Sequence, residues 1–459
     1  MTRTAADLLF RPRSIVVYGA SSDPEKLSGR PLDYLKRFGY EGCIHAVNPR
    51  RSEVQGVAAY ATAAEVPGPV DLAIVVVPAS AVVEAIRGCA EAGVGAAIIF
   101  ASGFSEIGED GAPQQREIAE IARGSGMRVV GPNCLGTFAV NERAFATFST
   151  AFDEDAHRPV SPIALVSQSG AVGTFTYSTM NSLGLGVTYF ANTGNEVDVT
   201  VTEVLAALVD APDVNVLMGH IEGCKDLEAL AALAAAAREH DKPLLLLKSG
   251  RSGPGARAVA AHTGSVAGDD AAFNEVLEAH GAVRVPSMEA WSDAALAFMD
   301  GRRASGRRVT IVTLSGGGGA LAADRAADLG LRVETWSSEA DRAVLASGLP
   351  YFGSTKNPID MTGAMINDLS LLERTLANVS ANDDTDSVLV LLGNADRGSG
   401  EIVATLAKAY QATDKPFIVA WTGGSGRPRA ALLDAGVPTY TDPDRAVEAL
   451  SRVTEFSLA

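Results

Sequence analysis

The sequence predicts an α/β protein built on parallel sheets, divided into about three domains. Three observations predict it. Short apolar runs alternate with helix-period segments from one end to the other, as in repeated strand–helix units. Most of those runs empty into turns rich in Gly, Ser and Asn, the usual place for ligands in open parallel sheets. The chain has 459 residues, whereas a single core rarely grows past ~250–300.

The first apolar run, 14–18, leads into Gly19-Ala20-Ser21-Ser22-Asp23-Pro24-Glu25-Lys26-Leu27-Ser28-Gly29 and then a helical pattern. A glycine turn between a first strand and a first helix aims backbone N–H groups at a phosphate, although a plain turn uses the same residues. The second strand ends Ile44-His45-Ala46-Val47-Asn48-Pro49 without an acid. A nicotinamide dinucleotide site needs an acid there for its ribose, so an oxidoreductase is disfavoured; a phosphorylated ribose such as that of coenzyme A is better tolerated. Strands at 72–77, 97–100 and 128–130 carry at their ends Pro78, Ser102-Gly103-Phe104-Ser105-Glu106 and Gly131-Pro132-Asn133-Cys134-Leu135-Gly136. These elements make a Rossmann-like domain over 1–145.

A second unit opens at 163–166 with Ser167-Gln168-Ser169-Gly170 behind it, and a third at 309–314 with Ser315 and four glycines behind it. The two echo each other further on. The run 214–218 before Gly219-His220-Ile221-Glu222-Gly223 matches 388–392 before Gly393-Asn394-Ala395-Asp396, and Asp241-Lys242-Pro243 matches Asp414-Lys415-Pro416. We expect two related flavodoxin-like domains at 150–295 and 305–459, joined by the Arg/Gly/Ser-rich stretch 301–308.

Composition excludes several classes. With 38 Lys+Arg against 55 Asp+Glu, the net charge of −17 argues against nucleic acid or an anionic membrane as the main partner. Any phosphate must be held locally, by helix ends and a few cations. Cys43, Cys89, Cys134 and Cys224 are far apart with no Cys-x-x-Cys pair, so we expect reduced thiols and no metal site. The N-terminus lacks a signal-peptide core and no apolar run nears the ~18 residues of a membrane span. A cytoplasmic protein is expected.

The stretch from Lys248 to Gly268 draws the candidates together. It follows the apolar run 243–247 and reads as a loop, made largely of Gly, Ser and Ala, with His262 among them. Small neighbours let an imidazole move and let anions approach the backbone, as a phosphate-carrying nucleophile requires. The other five histidines fit strands, a linker or helix ends, where a cation suits the dipole, although His220 can also line the site. The third unit has Ala430-Ala431-Leu432-Leu433 where the second has Ala261-His262-Thr263-Gly264. Ser169 and Gly170 open a helix whose N-terminus can hold the phosphoryl group or can simply be capped by Ser169. Glu222 can orient one ring nitrogen or be a solvated loop acid.

The motifs Val17-Tyr18-Gly19-Ala20-Ser21 with Lys26, Val47-Asn48-Pro49, Gly103-Phe104-Ser105-Glu106, Gly131-Pro132-Asn133-Cys134-Leu135-Gly136, Ser167-Gln168-Ser169-Gly170, Gly194-Asn195-Glu196, Lys248-Ser249-Gly250-Arg251 and Ala261-His262-Thr263-Gly264-Ser265 together resemble the NDP-forming acyl-CoA synthetases. That superfamily includes ADP-forming acetyl-CoA synthetase and succinyl-CoA synthetase. The resemblance implies that the first domain binds CoA through Gly19, Ala20, Ser21, Lys26, Asn48, Pro49 and Pro78, and that Asn133 and Cys134 meet the substrate. It implies a phosphorylated His262, oriented by Glu222 and steadied by Ser169, Gly170, Thr263 and Gly264. The implied reaction joins a small carboxylic acid to CoA with ATP, giving acyl-CoA, ADP and phosphate through phosphohistidine and an acyl phosphate. The ATP-grasp portion that binds ATP and Mg in the family is not in this sequence, nor is a Gly-x-x-x-x-Gly-Lys-Ser/Thr loop. An α subunit is therefore expected, with an ATP-grasp β partner in a hetero-oligomer, or as a homodimer. The segment Leu314-Ser315-Gly316-Gly317-Gly318-Gly319 departs from the family's Asn-Ala-Gly-Gly-Pro-Gly type. The rival reading is a non-catalytic regulator that binds CoA or acyl-CoA.

Overall fold

Ser14-Ile-Val-Val-Tyr18 is buried at every position and forms the middle strand, Ser14–Tyr18, of a seven-stranded sheet. The structure, a computed structural model, describes residues 3–153, 160–263 and 268–459, with the side chains of His262 and Thr263 outside the description. Six strands of this first sheet are parallel: Val57–Tyr60, Cys43–Val47, Ser14–Tyr18, Leu72–Val75, Ala96–Ile99 and Arg128–Val130, in that spatial order. Numbered along the chain the order is 3-2-1-4-5-6, the Rossmann arrangement, with the short Glu53–Val54 paired antiparallel at one edge. The apolar runs lack alternation because helices cover both faces of a parallel sheet.

The second sheet has parallel strands Val283–Val285, Leu244–Lys248, Val216–Ile221, Ile163–Ser167 and Tyr189–Asn192 in spatial order. The third has Ile359–Asp360, Val309–Thr313, Ser387–Gly393, Phe417–Thr422 and Thr439–Tyr440. Both follow the flavodoxin order 2-1-3-4-5. The internal echo in the sequence is thus a repeated topology.

Two strands lie elsewhere than the expected boundary at 145 suggests. Gly136–Ala139 and Ala144–Thr147 form a hairpin that extends the second sheet, Gly136–Ala139 running antiparallel to Tyr189–Asn192. Aromatic packing explains the attachment. Phe138 stacks on Phe145 and on Phe190 of the second sheet, with centroids 5.0 and 5.2 Å apart, and Phe152 meets both Phe138 and Phe190 edge-on. Chain contacts divide the molecule into two compact units, one holding the first two sheets and the other running from Glu289 to the end with residues 182–184. The helix Met288–Phe298 falls almost wholly in the second unit.

Candidate active site at the carboxyl ends of two sheets

In the first sheet the chain reverses its winding between Ser14–Tyr18 and Leu72–Val75, where open α/β sheets take ligands. Gly19, Asn48 and Pro78 follow three adjacent strands there. Gly19 has φ +80°, and a Cβ on it would lie 2.8 Å from Val77 Cγ1, so only glycine turns the chain this tightly. Ala20 is buried, and Ser21 is tied down by its N–H to Ser28 O at 3.1 Å and by Gln55 Nε2 donating to its carbonyl at 2.7 Å. Lys26 stands exposed on the same turn. Asn48 Oδ1 accepts the Arg50 N–H at 3.0 Å across Pro49, and Pro78 precedes the helix Ala79–Glu91. Topology brings all seven expected CoA residues to one edge.

The second sheet reverses between Ile163–Ser167 and Val216–Ile221. Ser169 caps the helix Gly170–Ser182: its carbonyl accepts the Gly173 N–H at 3.0 Å and its Oγ the Val172 N–H at 3.4 Å. The N–H groups of Gly170 and Ala171 have no acceptor within the helix. Gln168 spans the neighbouring turns. Its Oε1 accepts the Glu222 and Gly223 N–H groups at 2.5 and 3.1 Å, while its Nε2 donates to Glu196 Oε2 at 2.6 Å and Gly223 O at 3.0 Å. Lys248 Nζ donates to Glu222 O at 2.8 Å and to Ser249 O. The Glu222 backbone is held on both sides, and its side chain is largely buried rather than solvated.

His262 is not in an open loop. The segment Gly253–Thr263 is a helix with His262 in its last turn. Pro254 suits a first turn, alanines favour the interior, and Ser252 closes the start with its carbonyl to the Ala256 N–H at 2.7 Å and its Oγ to the Gly255 N–H at 3.3 Å. This helix packs against the turn Ser105–Asp110 of the first sheet. The side chains of His262 and Thr263, and Gly264 altogether, lie outside the described residues.

Two asparagines tie the two edges together. Asn192, fully buried, accepts the Leu135 N–H on Oδ1 at 2.7 Å and donates Nδ2 to Ser167 O and Gln168 O at 2.8 and 2.9 Å. Asn195 Nδ2 donates to Glu106 at 2.5 Å, and its Oδ1 accepts from Asn133 Nδ2 at 3.3 Å. A Cβ on Gly194 would lie 2.3 Å from Pro132 O, so the loops touch backbone to backbone. Asn133, at φ 58°, belongs to this junction. Cys134 does not present its thiol to a substrate: Sγ is buried against Ile99 O at 3.3 Å, and burial pushes the thiol up to about 12. Sequence reading had named neither Asn192 nor the roles of Gln168 and Asn195, because their partners come from distant strand ends.

Electrostatics sort the site acids. Burial alone pushes Glu106 up, but the N–H groups of Gly103 and Phe104 and the Asn195 amide outweigh it and hold the carboxyl below its ordinary range. Burial wins at Glu196 and raises it. Lys248 is lowered by burial. Among the described residues no cluster of His, Cys, Asp and Glu is arranged to hold a metal, and no helix is long and apolar enough to cross a membrane. The strand ends of the second sheet thus bring together the start of the helix Gly170–Ser182, the Gln168 amide and the buried Glu222.

Comparison with known proteins places the arrangement. Residues 13–139 match a CoA binding domain and residues 160–298 a succinyl-CoA ligase like flavodoxin domain. The α subunit of acetate–CoA ligase (ADP-forming) I from Pyrococcus furiosus is 32% identical over 98% of this chain and 97% of its own length. A trans-feruloyl-CoA synthase from an unknown prokaryotic organism is 30% identical over 98% of this chain and 65% of its own. The solved structure of Candidatus Korarchaeum cryptofilum dinucleotide forming acetyl-coenzyme A synthetase 1, in complex with phosphate and ADP, superposes with a TM-score of 0.89 at 28% identity, covering 99% of this chain and 97% of that one. The chain belongs to the ADP-forming acyl-CoA synthetases, acid–thiol ligases, as an α subunit.

Proposed function

We propose that this α subunit carries the acyl and phosphoryl chemistry of the ligase, with His262 as the phosphoryl carrier. The observation that carries the reading is the junction itself. Asn192 joins the Leu135 loop to the turn that starts the helix Gly170–Ser182, and the helix bearing His262 packs on a neighbouring loop of the first sheet.

In the forward direction an ATP-grasp β partner holds ATP and Mg and phosphorylates His262. The phosphoryl oxygens lie at the helix start formed by Ser169 and Gly170, helped by Thr263 and Gly264. Glu222 accepts a hydrogen bond from the second ring nitrogen and fixes which nitrogen carries the phosphoryl group. A carboxylate oxygen of a small carboxylic acid attacks phosphorus, the P–N bond breaks, and an acyl phosphate forms beside Asn133. The CoA thiolate, delivered from the edge made by Gly19, Ala20, Ser21, Lys26, Asn48, Pro49 and Pro78, attacks the acyl carbon and expels phosphate. Splitting one condensation into transfers lowers each barrier. The protein works in the cytoplasm as a hetero-oligomer with its partner.

Steady-state turnover tests the reading. With an ATP-grasp partner added, acyl-CoA, phosphate and ADP yield ATP; His262→Asn abolishes this, and Glu222→Gln lowers kcat by about 10²-fold or more. CoA bound by a chain that yields no ATP with the partner present would favour the non-catalytic regulator instead.

A further inference from the structure

The mechanism leaves one buried chain of side chains unused, at the ends of three adjacent strands of the second sheet. Ser167 is the register partner of His220, and Ser249 follows the next strand over. His220 is completely buried. Its Nδ1 lies 3.2 Å from Ser167 Oγ and its Nε2 2.8 Å from Ser249 Oγ. Ser167 Oγ in turn donates to Ser169 O at 2.7 Å.

These contacts have only one consistent direction. A carbonyl cannot donate, so the Ser167 hydroxyl proton points at Ser169 O. Ser167 Oγ is then left as an acceptor for the imidazole, which must carry its proton on Nδ1. Nε2 is left as an acceptor for the Ser249 hydroxyl. Burial, with Lys248 adding to it, lowers His220 to about 3, in keeping with a neutral ring.

The third sheet supplies an internal control. Thr313 stands at the position of Ser167 and makes the same bond, Oγ1 to Ser315 O at 3.1 Å. Its register partner is Leu391, buried like His220. The topology thus tolerates leucine at this position, and among the described residues the extension from hydroxyl to imidazole to hydroxyl is found in the second sheet and not in the third. The two ends also matter. Ser249 sits where the chain leaves for the helix Gly253–Thr263, and Ser169 O belongs to the peptide whose N–H side is Gly170. In a trans peptide, drawing the carbonyl inward turns the Gly170 N–H outward, toward the anion.

We propose that Ser249, His220 and Ser167 form a one-way hydrogen-bond relay in which His220 is a positioning residue: it aims the Ser169–Gly170 peptide at the phosphoryl group. This deepens the phosphoryl site proposed above and rests on it.

Two measurements on the full chain test it. In a long-range proton–nitrogen NMR spectrum of histidine-labelled protein, His220 shows a neutral ring protonated on Nδ1. Phosphate titration followed by ³¹P line width then compares variants. His220→Leu, copying the third sheet, weakens inorganic phosphate about tenfold while CoA affinity is unchanged. His220→Asn, whose amide can still donate to Ser167, recovers to within about threefold, whereas His220→Gln, which reaches only the Ser249 side, does not. A proton on Nε2, wild-type phosphate affinity in His220→Leu, or no phosphate binding by the wild type overturns the relay. Turnover enters neither measurement, so failure to form ATP from acyl-CoA would count against the function and not against the relay.

Discussion

Asn192 has no chemistry of its own, yet it bonds three backbone groups. Asn192→Ala strips the Leu135 N–H and the Gln168 carbonyl of their side-chain partner in a buried place, while the Ser167 carbonyl keeps the Thr193 N–H at 3.0 Å. At about 1–3 kcal/mol for each unsatisfied group, we expect a loss of roughly 2 kcal/mol or more in denaturant unfolding. Asn192→Asp keeps the acceptor for Leu135 but turns a carboxylate toward two carbonyls, so it does not rescue. Glu106 has a different signature because its folded pKa is depressed. Its contribution is present above the ordinary carboxyl range and is lost as pH falls through the folded value. Glu106→Gln should therefore lower Tm at pH 7, with the gap to wild type closing below about pH 4 as the native carboxylate protonates.

At the scale of elements, the glycines at the junction can be separated by what a methyl would meet. On Gly170 it would lie 2.8 Å from Leu135 Cγ and 3.3 Å from Asn192 Oδ1. Alanine is the better helix former by about 1 kcal/mol, so Gly170→Ala should leave Tm nearly unchanged while kcat falls, the Leu135 loop being pushed off the helix end. Gly194→Ala offers no such offset, with φ +58° and backbone oxygens of Pro132 and Asn133 at 2.3 and 2.5 Å; loss of soluble folded protein is expected on expression. Strands and their terminal turns were legible in the sequence because buried parallel strands are unbroken apolar runs and turns need Gly, Asn and Pro. The helix Gly253–Thr263 was not. Its glycines and proline read as a loop, although Pro254 sits where a helix tolerates it and alanines supply the interior. The hairpin Gly136–Ala139 with Ala144–Thr147 was missed for a related reason, since only the stacking of Phe138 on Phe190 tells which sheet it joins.

Across the molecule, the repeat of one topology in the second and third sheets separates what the fold needs from what the site needs. Thr313 and Ser167 make the same bond to a carbonyl two residues on, whereas Leu391 and His220 differ at matching places. The candidate site was legible as a set of strand-end motifs, since catalysis gathers at the carboxyl ends of parallel strands. What joins those motifs was not legible, because a hydrogen bond between Asn192 and Leu135, 57 residues apart, leaves no local pattern. The central claim is that His262 accepts the phosphoryl group, and direct labelling tests it. Purified chain incubated with radiolabelled phosphate and a panel of acyl-CoAs should gain acid-labile, base-stable label that His262→Asn lacks, and the acyl-CoA that supports it names the acid. Label that persists in His262→Asn, or none from any acyl-CoA even with an ATP-grasp partner present, would contradict it.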